Sequence, residues 1–166
     1  MVASSESGLK PLGLQLNAGY AKSVSPKLTL DAGIVHAEYS HYSRNAPGHS
    51  YTEVYAGFTH GGLSGRLSVS PHYFHSGTWT VYGEINDDFR LAPRLTLDGH
   101  VGLLAPLRQS SYFDQRAEFD WRVGLTRRFG PISAQVAWTG GTALGSYRSG
   151  HDRTGNALVV GLSCIL

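Results

Sequence analysis

Hydrophobic and polar residues alternate with a period of two along almost the whole chain, whereas the 3.6-residue period of a helix is nearly absent. Alternation at this period places successive side chains on opposite faces of a strand. The clearest stretch sets Phe119, Trp121, Val123 and Leu125 against Glu118, Asp120, Arg122 and Gly124. Stretches of this kind cover residues 12–20, 28–34, 53–59, 63–70, 79–86, 95–103, 118–126, 132–139 and 156–166. The pattern therefore predicts nine β-strands.

The connections between these strands alternate between short and long. Tight turns are expected at Ser23–Pro26, Gly61–Gly62, Leu91–Pro93 and Phe129–Pro131. Longer polar connections are expected at Ser43–Ser50, Arg108–Arg116 and Gly140–Thr154, with a shorter glycine-bearing one near Phe74–Gly77. Short turns at one end and long loops at the other indicate an antiparallel up-and-down meander, and outer-membrane barrels show the same asymmetry. The predicted fold class is all-β, an up-and-down transmembrane β-barrel.

Composition narrows the class further. Charged residues make up 16% of the chain, against about 25% in average domains. Glycine accounts for 21 of the 166 residues, well above its usual share of about 7%. No apolar run approaches the roughly 20 residues of a membrane helix. The single cysteine excludes an internal disulfide framework. The basic residues are scattered among acidic ones, so we expect no nucleic-acid partner.

The polar face decides between a membrane barrel and a soluble protein. Lysine occurs three times, always before residue 28, against eleven arginines, and arginine forks suit carboxylate pairing in a confined lumen. Glycine on this face would make room for Tyr55 and Tyr82. A water-soluble barrel or sandwich remains the alternative. The predicted lumen residues are Asp31, Glu53, Tyr55, Arg66, Tyr82, Glu84, Asp98, His100, Asp120 and Arg122.

The opposite face is predicted to meet lipid, with aromatic residues towards the strand ends. Its members are Leu14, Leu16, Leu30, Val54, Phe58, Leu67, Val81, Leu97, Val123, Val136 and Val160. Within the lumen, cross-strand adjacency predicts two bridging arginines. We expect Arg66 to pair with Glu53 and Glu84, and Arg122 to pair with Asp98 and Asp120.

The order of several motifs resembles a known family. These motifs are Gly33-Ile34-Val35, the runs Ser50–Gly57, Leu67–Phe74 and Leu95–Gly102, and Asp120-Trp121-Arg122-Val123-Gly124-Leu125. Their succession over about residues 12–140 resembles the TorF porin family of proteobacterial outer-membrane β-barrels. The resemblance implies an outer-membrane location and a channel role. Members usually carry a signal peptide and a Phe-Arg-Gly type motif upstream, and neither is present here.

Strand parity gives a further expectation about the barrel. Bacterial single-chain barrels have even strand numbers and both termini in the periplasm, so nine strands predict a missing upstream part and an intact barrel of 10 or 12 strands. Residues 1–10 are interpreted as a polar N-terminal segment or outer loop, and residues 11–166 as one barrel domain. The alternative is a complete nine-stranded barrel with a parallel seam between its first and last strands.

Two other chemistries deserve weighing. Eight histidines (36, 41, 49, 60, 72, 75, 100 and 151) raise the possibility of a metal site, but His72 and His75 point to opposite strand faces, so we expect no metal and no cofactor. His41, Ser43 and Glu53 resemble the His-x-Ser plus Glu arrangement of lipid A deacylase barrels, with Ser43 as nucleophile and His41 as base. That family carries the motif near its C-terminus, unlike this chain.

We therefore expect a non-enzymatic outer-membrane barrel. Its partners would be outer-membrane lipid and small polar solutes or ions that cross a narrow bore passively. A lipid-modifying esterase built on His41, Ser43 and Glu53, or a structural barrel without transport, are the alternatives.

Overall fold

The computed structural model describes residues 2–5, 8–11, 13–39, 49–73, 79–107, 117–142 and 154–164. These residues form eleven β-strands. In chain order they are β1 (Val2–Ser5), β2 (Gly8–Pro11), β3 (Gly13–Ser25), β4 (Leu28–Tyr39), β5 (His49–His60), β6 (Leu63–Tyr73), β7 (Thr80–Ala92), β8 (Leu95–Pro106), β9 (Glu118–Phe129), β10 (Ile132–Thr142) and β11 (Thr154–Cys164). Within the described part of the chain, no helix is long and apolar enough to cross a membrane.

Strands β3 to β11 form one nine-stranded sheet in which sequence order equals spatial order. Every neighbouring pair is antiparallel. The predicted all-β meander of nine strands is thus confirmed. The two end strands are β3 and β11, and no pairing joins them among the described residues, so closure of the sheet into a barrel is not shown.

The short strands β1 and β2 pair with each other in a separate two-stranded sheet. Apart from Pro11, they fall within residues 1–10, which the sequence pattern interpreted as a polar stretch or an outer loop. Four residues on each side give too short an alternation to be distinguished from a polar loop by periodicity.

Two of the four tight turns lie where the sequence places them, whereas the turns predicted at Ser23–Pro26 and Leu91–Pro93 begin only at their prolines because β3 and β7 extend to Ser25 and Ala92. Two-residue turns at 26–27, 61–62, 93–94 and 130–131 join alternate strand pairs. Gly61 and Gly130 have φ values of 64° and 63°, a left-handed backbone that glycine adopts without steric cost. Both occupy the first turn position, where this backbone matches the twist of a two-residue hairpin. The longer connections lie outside the described residues.

The two faces of the nine-stranded sheet differ sharply in character. All eleven residues of the predicted lipid-facing set lie on one face, which we call the apolar face. Nine of the eleven are exposed, including Leu16 at 58%, Val123 at 50% and Val160 at 71%, while Phe58 and Val81 are half-buried. No second sheet covers this face in the described part of the chain. A sandwich, in which such residues would be packed between two sheets, is therefore not the architecture observed.

Candidate functional site

The ten predicted lumen residues all lie on the opposite face, the polar face. The strand register aligns several of them in one row across the sheet. This row runs Asp31, Gly57, Arg66, Glu84, Gly102 and Asp120, from β4 to β9. Charged residues and glycines share the row, so long side chains have room to lie flat across the neighbouring strand.

Arg66 reaches two strands away rather than to its immediate neighbours. Its Nη2 lies 3.3 Å from Oδ2 of Asp31, across the intervening Gly57 of β5. The guanidinium carbon also lies 4.2 Å from the ring centroid of Tyr55, a cation–π distance. The prediction that Arg66 bridges Glu53 and Glu84 is therefore wrong. Glu84 lies directly opposite Arg66 in register, but Asp31 is the ion-pair partner because the missing side chain at Gly57 opens the path.

Arg122 behaves as predicted towards one of its two carboxylates. Its Nη2 lies 3.2 Å from Oδ2 of Asp98. Asp98 lies over Gly124 of β9, where an added Cβ would come within 2.7 Å of the carboxyl carbon. Beyond that glycine, Nε2 of Gln135 on β10 donates to Oδ1 of Asp98 at 3.2 Å. Asp98 therefore connects three consecutive strands.

Asp120, the other predicted partner of Arg122, belongs to a different group. The Tyr82 hydroxyl donates to Oδ2 of Asp120 at 3.2 Å, passing over Gly102. Nε2 of His100 lies 2.6 Å from Oδ1 of the same carboxylate, and the other ring nitrogen lies 2.7 Å from Oδ1 of Asn86. The aspartate is thus held by β7 and β8 together.

Tyr55 also lies over glycines of the polar face, towards the β3 end of the sheet. An added Cβ at Gly33 or at Gly19 would lie 2.8 Å from its hydroxyl oxygen, so the tyrosine on β5 covers glycines on β4 and β3. Tyr55 and Tyr82 both lie over glycine, as the sequence analysis expected for a crowded interior. Glycine is required here because any side chain would occupy the volume that the crossing residue fills.

A cavity of about 360 Å³ opens on the polar face at the end where the long connections begin. Its walls come from six consecutive strands, β5 to β10, so the sheet curves around it. It is lined by Tyr51, Glu53, Ser68, Ser70, Tyr73, Thr80, Tyr82, Leu104, Glu118, Phe119, Asp120 and Thr142. The charged residues among them are three carboxylates, Glu53, Glu118 and Asp120.

Three of these lining residues, Glu53, Tyr82 and Asp120, are among the predicted lumen residues, and the others are not. Glu118 shares the strand parity of Asp120 and could have been included on that ground alone. Tyr73 could not, because β6 carries a register shift opposite Thr52 and Val54, and an extra residue there reverses the alternation beyond it.

Metal binding and ester hydrolysis, the other two chemistries considered from the sequence, have less support in the structure. His36 bonds Thr52 through Nδ1 at 2.8 Å at the exposed edge of the apolar face. Across the described ranges, no group of three or more histidine, cysteine or carboxylate side chains is placed to hold a metal ion. His41 and Ser43 of the esterase alternative lie outside the described residues, so that arrangement remains untested. Its third member, Glu53, lines the cavity.

Comparison with known proteins places the chain in a family. The family model described as "Bacterial protein of unknown function (Gcw_chp)" matches residues 2–162, and the chain belongs to that family. No curated protein and no solved structure matches. The resemblance to TorF porins is not tested by this match and stays a prediction.

Proposed function

We propose that this Gcw_chp-family chain is an outer-membrane β-barrel that passes small polar solutes or ions through a narrow bore. The observation that carries the proposal is the contrast between the two faces of one uncovered sheet. Large apolar side chains remain exposed on all nine strands, whereas soluble monomers rarely leave contiguous apolar patches larger than a few hundred Å². Surrounding lipid would cover this face.

Strand length supports the same proposal. The nine strands are 11–13 residues long, and a tilted strand needs about 9–11 residues to cross the hydrocarbon core. Closure of the sheet would turn the polar face inward, and a barrel of 9–12 strands lies between side-chain-filled barrels of about eight strands and water-filled porins of about 16. Tyr55 and Tyr82 lie over glycines and would form part of the wall of such a bore.

The test is refolding of the full chain in detergent, followed by planar-bilayer recording. We expect a band on unboiled gels that shifts on heating, and stepwise conductance absent from detergent-only controls. A water-soluble monomer that needs no detergent and gives no conductance would contradict the proposal.

A further inference from the structure

We propose that the cavity lined by Glu53, Glu118 and Asp120 is a binding site for a small organic cation that carries primary ammonium groups. As a statement about the transported solute, the proposal rests on the proposed pore. The binding itself needs only the cavity. The volume of about 360 Å³ falls within the range of about 300–1,000 Å³ typical of small-ligand pockets.

The carboxylates of the cavity wall favour a cationic occupant. The three carboxylates stand on walls that face each other across the curved sheet, with Glu53 on β5 and Glu118 and Asp120 on β9. Arg66 and Arg122, two arginines of this face in the described residues, are paired with Asp31 and Asp98. Asp120 is bonded by His100 and Tyr82. Among the described lining residues, the cavity therefore offers carboxylate oxygens and no lysine or arginine.

Two hydroxyl groups lie deep in the wall of the cavity and can bind an occupant. Ser68 and Thr80 are 4% and 2% exposed and line the cavity. Neither hydroxyl forms a hydrogen bond with another described residue, whereas their neighbour Ser70 donates to the Thr52 carbonyl at 2.7 Å. No side-chain oxygen in the described part of the chain is both sealed from solvent and without a partner. The two hydroxyls therefore face the cavity and remain available to accept hydrogen bonds from an occupant.

The aromatic residues of the cavity wall favour an alkylammonium ion. Tyr51 and Tyr73 lie with ring centroids 5.7 Å apart, and Tyr82 stands on the next strand. Aromatic faces attract ammonium groups and cover their methylene carbons. Carboxylates on facing walls with tyrosines between them suit a short diamine, whose two charged ends are separated by an apolar chain.

The test compares 1,4-diaminobutane with 1,4-butanediol, which keeps the carbon chain and lacks the charges. Both are titrated calorimetrically into the full chain refolded in detergent. We expect the diamine to bind at least about tenfold more tightly, since a hydrogen bond to a charged group is worth about a tenfold or greater factor in affinity. Equal affinity for the diol, or tighter binding of magnesium chloride than of the diamine, would overturn the proposal.

Variants localise the site. Glu118→Gln and Glu53→Gln keep side-chain size, and each should weaken diamine binding about tenfold. The control is Asp88→Asn, a change to another carboxylate on β7 outside the cavity, which should leave affinity within about twofold. An equal loss in all three variants would show diffuse charge attraction and no site. Each variant must first show the heat-shifted band of the unmodified chain.

Conductance separates this proposal from the proposed pore. Diamine binding without any conductance would support the site and contradict the pore. Conductance without selective diamine binding would support the pore and overturn the site.

Discussion

Gly124 offers the sharpest test of how the polar face is built. A methyl group added there would come within 2.7 Å of the Asp98 carboxyl carbon, far inside van der Waals contact. Asp98 cannot move aside freely, because it is bonded to Arg122 at 3.2 Å and to Gln135 at 3.2 Å. Gly124→Ala therefore forces either steric strain or the loss of these bonds.

Steric strain and the loss of these bonds would destabilise the fold by similar amounts. Overpacking a well-packed site costs about 1–3 kcal/mol, and loss of a hydrogen bond to a charged group costs about 1.5–3 kcal/mol. We expect Gly124→Ala to lower the free energy of unfolding by about 1–3 kcal/mol. Gly99→Ala on neighbouring β8 is the matched control, because nothing lies within 4 Å of its added methyl group. It should be neutral or stabilising by about 0.5–1 kcal/mol, since glycine weakens a strand interior by that amount.

A second substitution tests the cause directly. In an Asp98→Ala background the clashing carboxylate is gone, so Gly124→Ala should become neutral or slightly stabilising. Urea unfolding of the refolded protein in detergent, followed by tryptophan fluorescence, measures the unmodified chain, the three single variants and the double variant. Trp121 and Trp138, whose rings lie 5.5 Å apart, report on β9 and β10 next to the site. The reasoning fails if Gly99→Ala costs as much as Gly124→Ala, or if removing Asp98 leaves that cost unchanged.

Two further predictions address the membrane and the bore. Val123→Arg, at the middle of β9 on the apolar face, should lower stability in lipid vesicles by about 2–4 kcal/mol. Ile132→Arg lies beside a turn on the same face and should cost only about 0–1 kcal/mol. Equal costs would argue against a hydrocarbon layer around β9. Arg122→Ala should lower the urea midpoint of unfolding, because Asp98 then keeps only its hydrogen bond from Gln135. The same variant should shift the reversal potential of the proposed pore towards cation selectivity. An unchanged reversal potential would show that Arg122 does not line the bore.

The sequence predicts the meander and its two faces because both depend on local rules. A period of two assigns each side chain to a face, and glycine or proline at the tight turns sets where a strand reverses. The polar-face identity of Glu118 follows from this rule even though it was not selected. The predicted ends of the strands are less accurate. For example, β5 begins at His49, whereas the pattern placed its start near Glu53.

The pairing of side chains across the polar face was harder to predict. Cross-strand adjacency favours immediate neighbours, so it assigned Arg66 to Glu53 and Glu84. The observed partner, Asp31, lies two strands away, and reaching it requires both the curvature of the sheet and the open space over Gly57. Neither quantity is carried by the alternation of residues along one strand. A glycine on the polar face beside a long polar residue is the sequence signal that would have pointed to such a crossing.

The topology also separates charge along the strands. At the tight-turn end, Lys27 and Arg94 lie in turns and Arg128 lies two residues before another. At the opposite end, Glu53 and Glu118 line the cavity, and the lining residues that the structure describes include no lysine or arginine. Because an up-and-down meander brings all its tight turns to one end, the placement of basic residues at successive turns accumulates positive charge there. If the sheet closes as proposed, a cation would meet positive charge at the turn end of the bore and carboxylates in the cavity towards the other end. The cavity is therefore where we expect a cation to be held.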